Sequence, residues 1–339
     1  MSTSQPSPQV TPERFFRAAN AHQLTGALKA AIELDVFTAI GEGADSPDAL
    51  AKRCNANARA LRILCDYLAI HEFLQKSDSR YSLAADSAAF LDRRSPMFLG
   101  NSIKFLAGQE MIEPYFDLST IVRRGGAAPE EQTVVENNPL WVEFARSMSG
   151  LMVLPSEMIA GLLSASAGEK WKVLDIAAGH GLFGIAIARH NPNAQIYAAD
   201  WGPVLEVAAE NAQKAGVASR YHKIPGDAFK SDFGGDYDVV LLTNFLHHFD
   251  PPTNEAFLRK VHAALKPGGR AVTLEFVPNE DRISPPMAAS FSMIMLGSTS
   301  SGDAYPFSEY QRMFRNAGFA SSELRAIPPA VQSVIISRK

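Results

Sequence analysis

Residues 173–184 read Val-Leu-Asp-Ile-Ala-Ala-Gly-His-Gly-Leu-Phe-Gly, and this stretch decides the fold class. Its apolar start predicts a short buried strand, which leads into a loop with Gly179, Gly181 and Gly184 at G-x-G-x-x-G spacing. Glycine permits a sharp turn and a close approach to a ligand, and the N–H groups of the following helix face such a loop. Nicotinamide-binding domains use the same spacing, so the glycines alone leave that cofactor open as an alternative.

An acidic residue distinguishes this loop from a phosphate-binding loop. Asp175 lies four residues before the first glycine, where its carboxylate would repel a pyrophosphate and attract a cationic amino-acid group. S-adenosylmethionine (SAM) carries a sulfonium and an ammonium and has no phosphate. Residues 194–199 predict a second strand that ends at Asp200, whose carboxylate can accept hydrogen bonds from both ribose hydroxyls of an adenosine. The sequence therefore favours SAM, with S-adenosylhomocysteine as its demethylated product.

Strands and helices alternate in the second half of the chain. Residues 221–224 lead into Gly226-Asp227. Further strands are predicted at residues 238–242 and 271–276, and Lys266-Pro267-Gly268-Gly269 predicts a helix stop followed by a turn. This alternation indicates an α/β fold with a doubly wound, mostly parallel sheet. Ligands of such sheets bind beyond the carboxyl ends of the strands, at the point where the strand order reverses.

The residues predicted to hold the cofactor come from the loops at those strand ends. We expect Asp227 to bind the adenine amino group and Phe229 to cover the adenine ring, although Asp200 and Asp227 could instead be ordinary strand-end caps. The predicted cofactor residues are Asp175, Gly179, Gly181, Asp200, Trp201, Gly226, Asp227, Ala228, Phe229 and Asn244.

The order of these motifs resembles the SAM-dependent small-molecule O-methyltransferases, namely the plant caffeate and isoflavone type and their bacterial polyketide- and carotenoid-tailoring relatives. The resemblance covers nearly the whole chain, because the N-terminal third is similar to the dimerisation domain of that family. It implies a Rossmann-like methyltransferase domain and a homodimer in which the N-terminal domain swaps across the dimer axis and helps to close the partner's pocket. The matching segments are Asp175-x3-Gly179-x-Gly181, Asp200, Gly226-Asp227, Leu246-His247, Lys266-Pro267-Gly268-Gly269 and Asn316-Ala317-Gly318-Phe319.

The proposed chemistry centres on His247. Methyl transfer from a sulfonium is an in-line displacement, so the enzyme must position the acceptor oxygen and remove its proton. The resemblance implies that His247 is the general base and that Glu275 orients it. The second glutamate of the plant enzymes would fall near Ala304, where this sequence has Asp303 beside it. Two alternatives stay open, a merely buried His247 and a Glu275 that pairs with a nearby cation.

Two apolar segments are predicted to form the acceptor pocket. Phe144, Met148 and Met152 recur at intervals of four, as on one face of a helix, and residues 287–296 contribute Phe291 and Met295. An ordinary core helix would show the same spacing, but the resemblance implies that the first segment closes over donor and acceptor. Sulfur–aromatic contacts suit a planar apolar acceptor. We therefore expect methylation of a hydroxyl on a small aromatic metabolite, with N- or C-methylation and a catalytically silent SAM-binding dimer as alternatives.

Four regions are expected along the chain. Residues 1–10 form a disordered tail, residues 11–95 a winged-helix-like dimerisation domain, residues 96–166 a helical linker contributing to the substrate pocket, and residues 167–339 the SAM-binding domain. Within the second region, Ser46-Pro47 predicts a helix start and Asp78-Ser79 the turn of a two-stranded wing.

Composition and charge argue against several other classes of protein. The 339-residue chain is 46% hydrophobic, carries a net charge of −4 and has two cysteines, without a metal-binding motif, secretory signal or membrane-spanning apolar run. A DNA-binding winged helix would need a basic face, yet residues 1–100 carry eleven basic and eleven acidic residues. We therefore expect a cytoplasmic enzyme without metal, nucleic-acid or membrane partners.

Overall fold

The computed structural model describes residues 10–128 and 138–339. The chain divides into two compact units, Met1–Ala107 and Gly108–Lys339. The predicted disordered tail, apart from Val10, lies outside the described residues. Most of the predicted linker, residues 96–166, belongs to the second unit.

The first unit is mainly helical and contains one antiparallel hairpin. Leu74 pairs with Leu83 across the hairpin, and Asp78 adopts the left-handed conformation at its turn (φ 54°). This hairpin is the wing that the sequence predicts. The elements are α1 (Glu13–Ala19), α2 (Ala21–Glu33), α3 (Val36–Gly41), α4 (Pro47–Arg53), α5 (Ala58–Ile70), β1 (Leu74–Ser77), β2 (Arg80–Leu83), α6 (Ala85–Phe90) and α7 (Ile103–Leu106).

Local sequence signals explain the helices around this hairpin. The Ser46 hydroxyl accepts a hydrogen bond from the Ala49 N–H at 3.4 Å, so it caps α4, whose first residue is Pro47. Along α5, Leu61 and Leu68 are buried on one face and form the core of this unit.

The second unit alternates strands and helices. The α-helices described before the sheet are α8 (Gln109–Ile112), α9 (Leu118–Arg124), α10 (Leu140–Ser147) and α11 (Ser149–Leu162). The remaining elements are β3 (Lys172–Ile176), α12 (Leu182–His190), β4 (Gln195–Asp200), α13 (Gly202–Lys214), β5 (Tyr221–Pro225), β6 (Tyr237–Thr243), α14 (Pro251–Ala264), β7 (Leu265–Glu275), α15 (Pro286–Ser298), α16 (Phe307–Asn316), β8 (Ser321–Ala326) and β9 (Ser333–Arg338).

Seven strands form one sheet in the order β5-β4-β3-β6-β7-β9-β8. The first five are parallel, whereas β9 runs antiparallel to both β7 and β8. Central β3 is buried on both faces: Val173 packs in a core with α12, and Leu174 in a core with α14. The order reverses between β3 and β6, so the carboxyl ends of these strands open the crevice where the sequence predicts the ligand.

Two predicted elements differ from the structure. The segment Lys266–Gly269 lies inside β7. Leu265 of β7 pairs with Tyr237 of β6, and Arg270 pairs with Val239, so β7 has more residues than β6 between these two pairs. The additional residues of β7 form a bulge instead of a separate turn. The helix predicted through residues 144–152 is two helices, since α10 ends at Ser147 and α11 begins at Ser149, with Met148 between them.

Candidate active site

The loop between β3 and α12 is shaped by its three glycines. Gly179 and Gly181 have φ values of 57° and 76°, a region that other residues adopt with strain. A Cβ atom on Gly184 would lie 2.9 Å from the Asp175 Oδ2 atom, so only glycine lets α12 approach the strand this closely. In exchange, the Gly184 N–H donates a hydrogen bond to that Oδ2 atom at 3.1 Å.

The Asp175 carboxyl group beneath this loop is only half satisfied. The residue is fully buried, and its Oδ1 atom has no hydrogen-bond partner among the described residues. Burial raises the pKa of Asp175 to about 8, the Gly184 N–H opposes this shift, and the nearby Asp200 adds to it. A bound cation would satisfy this carboxylate, so the residue fits the amino-acid head of SAM.

Asp200 ends the neighbouring strand β4 and holds the same loop from the other side. Its Oδ2 atom accepts the Gly179 N–H at 2.8 Å and its Oδ1 atom accepts the Trp201 N–H at 2.7 Å. Burial raises the pKa of Asp200 to about 6, and the two backbone donors oppose this shift. Each oxygen keeps further acceptor capacity, so the carboxylate is preoriented and can still bind hydroxyl groups.

The loop after β5 places an aromatic ring beside a carboxylate. The Asp227 Oδ1 atom accepts the Phe229 N–H at 2.9 Å, and its Oδ2 atom pairs with Lys230 at 3.1 Å. Phe229 is 38% exposed and packs against Phe257, with ring centroids 4.8 Å apart. Gly226 joins this loop to β4, because its N–H donates to the Asp200 carbonyl oxygen at 2.9 Å.

His247 and Glu275 form a buried pair at the ends of β6 and β7. The His247 Nδ1 atom lies 2.5 Å from the Glu275 Oε2 atom, and neither residue is more than 3% exposed. The other oxygen, Oε1, accepts the N–H groups of Phe245 and Leu246 at 3.0 and 2.8 Å. Glu275 therefore fixes both the imidazole of His247 and the backbone that carries it. Because Nδ1 donates its hydrogen to Glu275, the other ring nitrogen, Nε2, is the one that can accept a proton.

An aromatic stack lies beside this pair, and the methionines predicted to form the pocket are buried. The Phe291 ring lies 4.8 Å from the His247 ring and stacks on Phe276 at 3.9 Å. Met152 is buried, and its Sδ atom lies 3.8 Å from the Nδ2 atom of Asn244, whose buried Oδ1 atom has no partner among the described residues. The other pocket candidates, Met148 and Met295, are also buried.

Phe144 lies at the glycine loop, because its Cε1 atom would be 3.9 Å from a Cβ atom on Gly179. The Trp141 ring lies 5.7 Å from the Phe144 ring and 5.6 Å from that of His248. Sequence reasoning missed Trp141 and Phe276 as site residues. Their adjacency to the predicted residues, one helical turn before Phe144 and one position after Glu275, was the available signal.

Two polar residues near the site, His180 and Asp303, have structural roles. The His180 Nδ1 atom accepts the Leu182 N–H at 3.2 Å, and burial lowers the pKa of this histidine to about 4, so its ring is neutral. Asp303 turns its carboxylate to Arg282 at 2.8 Å, while its N–H donates to the His247 carbonyl oxygen at 2.9 Å. Asp303 therefore braces His247 through the backbone, while its carboxylate is directed to Arg282.

Over residues 10–128 and 138–339, no cluster of three or more His, Cys, Asp or Glu side chains is arranged to hold a metal ion. Across the same ranges, none of the helices has the length and apolar character required to span a membrane.

Comparison with known proteins relates the chain to methyltransferases. Residues 174–271 match a methyltransferase domain model, and residues 16–93 match an O-methyltransferase dimerisation domain model. A structure from Nostoc punctiforme, assigned as an O-methyltransferase, is 50% identical with a TM-score of 0.94, and the match covers 98% of this chain and 100% of that chain.

Two further proteins extend the comparison. The 3-hydroxy-5-methyl-1-naphthoate 3-O-methyltransferase of Streptomyces sahachiroi is 27% identical over 89% of this chain and 87% of its own. The human N-acetylserotonin methyltransferase, solved with SAM, shares the fold at 21% identity, with a TM-score of 0.83 and coverage of 99% of each chain. With its glycine loop, its strand-end acids and these relatives, the chain belongs to the SAM-dependent small-molecule O-methyltransferases.

Proposed function

We propose that His247 is the general base and that the acceptor is a hydroxyl group of a small aromatic metabolite. The observation that carries this proposal is the buried His247–Glu275 pair, in which Nδ1 is held at 2.5 Å and Nε2 is the basic nitrogen. When bound, SAM supplies the methyl group as a sulfonium. Nε2 takes the proton of the acceptor hydroxyl, and Glu275 stabilises the imidazolium that forms.

The cofactor would lie across the carboxyl ends of β3, β4, β5 and β6. Asp175 and the glycine loop would hold the methionine portion of SAM, because a cationic group would satisfy the buried, unpartnered Oδ1 atom of Asp175. Asp200 would bind the ribose hydroxyls, while Asp227 and Phe229 would bind the adenine. Gly181, Trp201, Gly226, Ala228 and Asn244 complete the proposed cofactor site.

The acceptor pocket would be apolar and aromatic. The Phe291–Phe276 stack forms a flat surface beside His247, which suits a planar ring. Phe144, Met148, Met152 and Met295 would form the rest of the wall. In this proposal, residues 96–166 are a helical linker that contributes to the substrate pocket, and residues 167–339 form the SAM-binding domain.

We also propose that residues 11–95 form a homodimer interface. Helix α1 buries none of its residues, and Phe15 and Phe16 are 68% and 56% exposed. Exposed aromatic residues on one short helix indicate a surface that another chain covers. The match of residues 16–93 to a dimerisation domain supports this assignment.

Replacement of the base tests the proposed mechanism. His247→Ala should bind S-adenosylhomocysteine with nearly unchanged affinity, measured by calorimetry, because the cofactor loops do not depend on this imidazole. Methylation of phenolic acceptors, followed by mass spectrometry, should fall by about 100-fold or more. His222→Ala is the matched control, since the imidazole of that exposed histidine hydrogen-bonds to Gln195 at 2.9 Å and lies against the Tyr197 ring, without contact to His247 or Glu275 among the described residues. Full turnover in His247→Ala would refute the proposed role.

A further inference from the structure

A small polar cavity lies beside His248, the neighbour of the proposed base, and none of the described residues that line it belongs to the acceptor wall proposed above. It has a volume of about 130 Å³ and is lined by His248, Phe249, Thr253 and residues 298–301. A water molecule occupies about 30 Å³ in the liquid, so this cavity has room for a substituent of about four non-hydrogen atoms. Residues 298–301 are Ser-Thr-Ser-Ser, so hydroxyl groups dominate the lining.

The turn that forms one side of this cavity is fixed to the backbone of the base. Gly302 follows the turn, and a Cβ atom there would lie only 2.3 Å from the His247 carbonyl oxygen. The next residue, Asp303, donates its N–H to that same oxygen at 2.9 Å. Within the turn, the Thr299 hydroxyl donates to the Met295 carbonyl oxygen and accepts the Gly302 N–H. The distance between cavity and base is therefore set by the fold.

His248 gives the cavity a neutral hydrogen-bond acceptor. Its Nδ1 atom lies 3.1 Å from the Phe245 carbonyl oxygen, so Nδ1 is the donor and Nε2 the acceptor. Burial, with a smaller contribution from the neighbouring His247, holds the pKa of His248 well below its usual value. The rings of the two histidines lie 4.2 Å apart, so a group bound at His248 would be close to the proposed base.

Among the residues that the structure describes, the cavity has no feature that would bind an anion. No lysine or arginine is among the described residues that line it. The adjacent helix α14 starts with Pro251 and Pro252, which have no N–H, and its first available N–H, that of Thr253, donates to Asp250 at 2.8 Å. A carboxylate placed here would lose its hydration without gaining a cation or a free helix N-terminus.

We infer that this cavity is a subsite for an uncharged, hydrogen-bond-donating substituent of the acceptor, such as a second hydroxyl or an amide. The inference rests on the proposed function and narrows its acceptor class to aromatic hydroxyl compounds with a second neutral polar group. Because the subsite and His247 share one rigid turn, the substituent would determine which hydroxyl group reaches the base.

Matched hydroxynaphthalenes test this inference. In each of several regioisomeric series, a naphthol carries a hydroxyl, a methyl or a carboxylate at the same second position. Binding to the protein saturated with S-adenosylhomocysteine is measured by calorimetry, and kcat/KM with SAM by mass spectrometry. In at least one series the hydroxyl compound should bind about tenfold more tightly than the methyl and carboxylate compounds. A carboxylate preferred in every series would overturn the inference.

Two variants connect that preference to the cavity. His248→Phe removes the acceptor nitrogen and keeps an aromatic ring, and Ser301→Ala removes an exposed hydroxyl at little risk to folding. Each should reduce the preference for the hydroxyl compound by about fivefold or more. Ser308→Ala is the matched control, because that hydroxyl bonds to Glu280 away from the cavity.

These measurements distinguish a failure of the proposed function from a failure of the subsite inference. If the wild-type protein methylates no naphthol or other phenol, the proposed function fails. If it methylates them and neither variant changes the preference, only the subsite inference fails.

Discussion

Asp175 and Glu275 are both fully buried acids near the carboxyl edge of the sheet, yet their surroundings give them opposite tasks. Both oxygens of Glu275 have protein partners, namely two backbone N–H groups and the His247 ring. Asp175 has one backbone donor and one unpartnered oxygen. The hydrogen-bonding capacity of Glu275 is thus satisfied within the fold, whereas the Oδ1 atom of Asp175 would be satisfied by the proposed cationic ligand.

This difference predicts that the ionised side chain of Asp175 lowers the stability of the folded protein while it favours binding of the cofactor. Its pKa is raised from 3.8 to about 8, so the folded state holds a proton that the unfolded chain releases between these values. Stability therefore falls as pH rises from about 4 to about 8. Asp175→Asn removes this penalty, so its melting temperature should exceed that of the wild type by several degrees at pH 8 and by little at pH 5.

The same variant should lose affinity for the cofactor. Calorimetry with S-adenosylhomocysteine at pH 8 should show at least about tenfold weaker binding by Asp175→Asn, because the amide cannot pair with the ligand ammonium. For the wild type, affinity should rise with pH up to about 8, since binding favours the ionised carboxylate. Equal binding by both proteins at pH 8 would contradict the assigned role of Asp175.

At the scale of elements, the position of the proposed base, His247, depends on contacts between three segments that are distant in the chain. The 3₁₀ turn Leu246–His248 follows β6, Glu275 ends β7, and the residues after α15 return to the His247 carbonyl oxygen. Each segment alone is short and irregular. Together they hold the imidazole without depending on the acceptor.

Gly302→Ala tests this bracing. The added methyl group would meet the His247 carbonyl oxygen at 2.3 Å and the Thr299 hydroxyl at 2.6 Å, so the turn must move away from the base. We expect kcat to fall by about 10- to 100-fold, since small displacements of catalytic groups are costly. S-adenosylhomocysteine binding should persist, as calorimetry would show.

Gly161→Ala is the control for that substitution. It lies within α11, where an added Cβ atom meets no atom within 4 Å, so it should retain full activity and gain slight stability. An equal loss of activity in the two variants would mean that the contact at Gly302 has no special role.

At the scale of the whole molecule, the first unit presents apolar surface that its own fold does not cover. Replacing Phe15 and Phe16 together by serine should shift the protein from dimer to monomer in light scattering, because aromatic anchors dominate the energetics of such interfaces. Leu324→Ser, which alters a 38% exposed leucine on β8, should leave the mass unchanged. A wild-type protein that is monomeric at micromolar concentration would contradict the dimer proposal.

The sequence by itself determined the fold class and the positions of the strand-end acids. These features depend on local signals: the glycine spacing after Ile176, the apolar run of β3, the Ser46-Pro47 cap and the turn at Asp78 each act within a few residues. For the same reason, the bulge at Lys266–Gly269 escaped prediction, because it depends on how β7 pairs with β6.

Only the tertiary structure decided how the site is assembled. His247 and Glu275 are 28 residues apart in the chain, and they meet because parallel β6 and β7 end side by side. The pairing of Asp303 with Arg282 and the hydroxyl-lined cavity beside His248 likewise depend on segments that only the folded sheet brings together. Local propensity specifies where strands end, but the partners of a side chain beyond that end depend on the neighbouring strands.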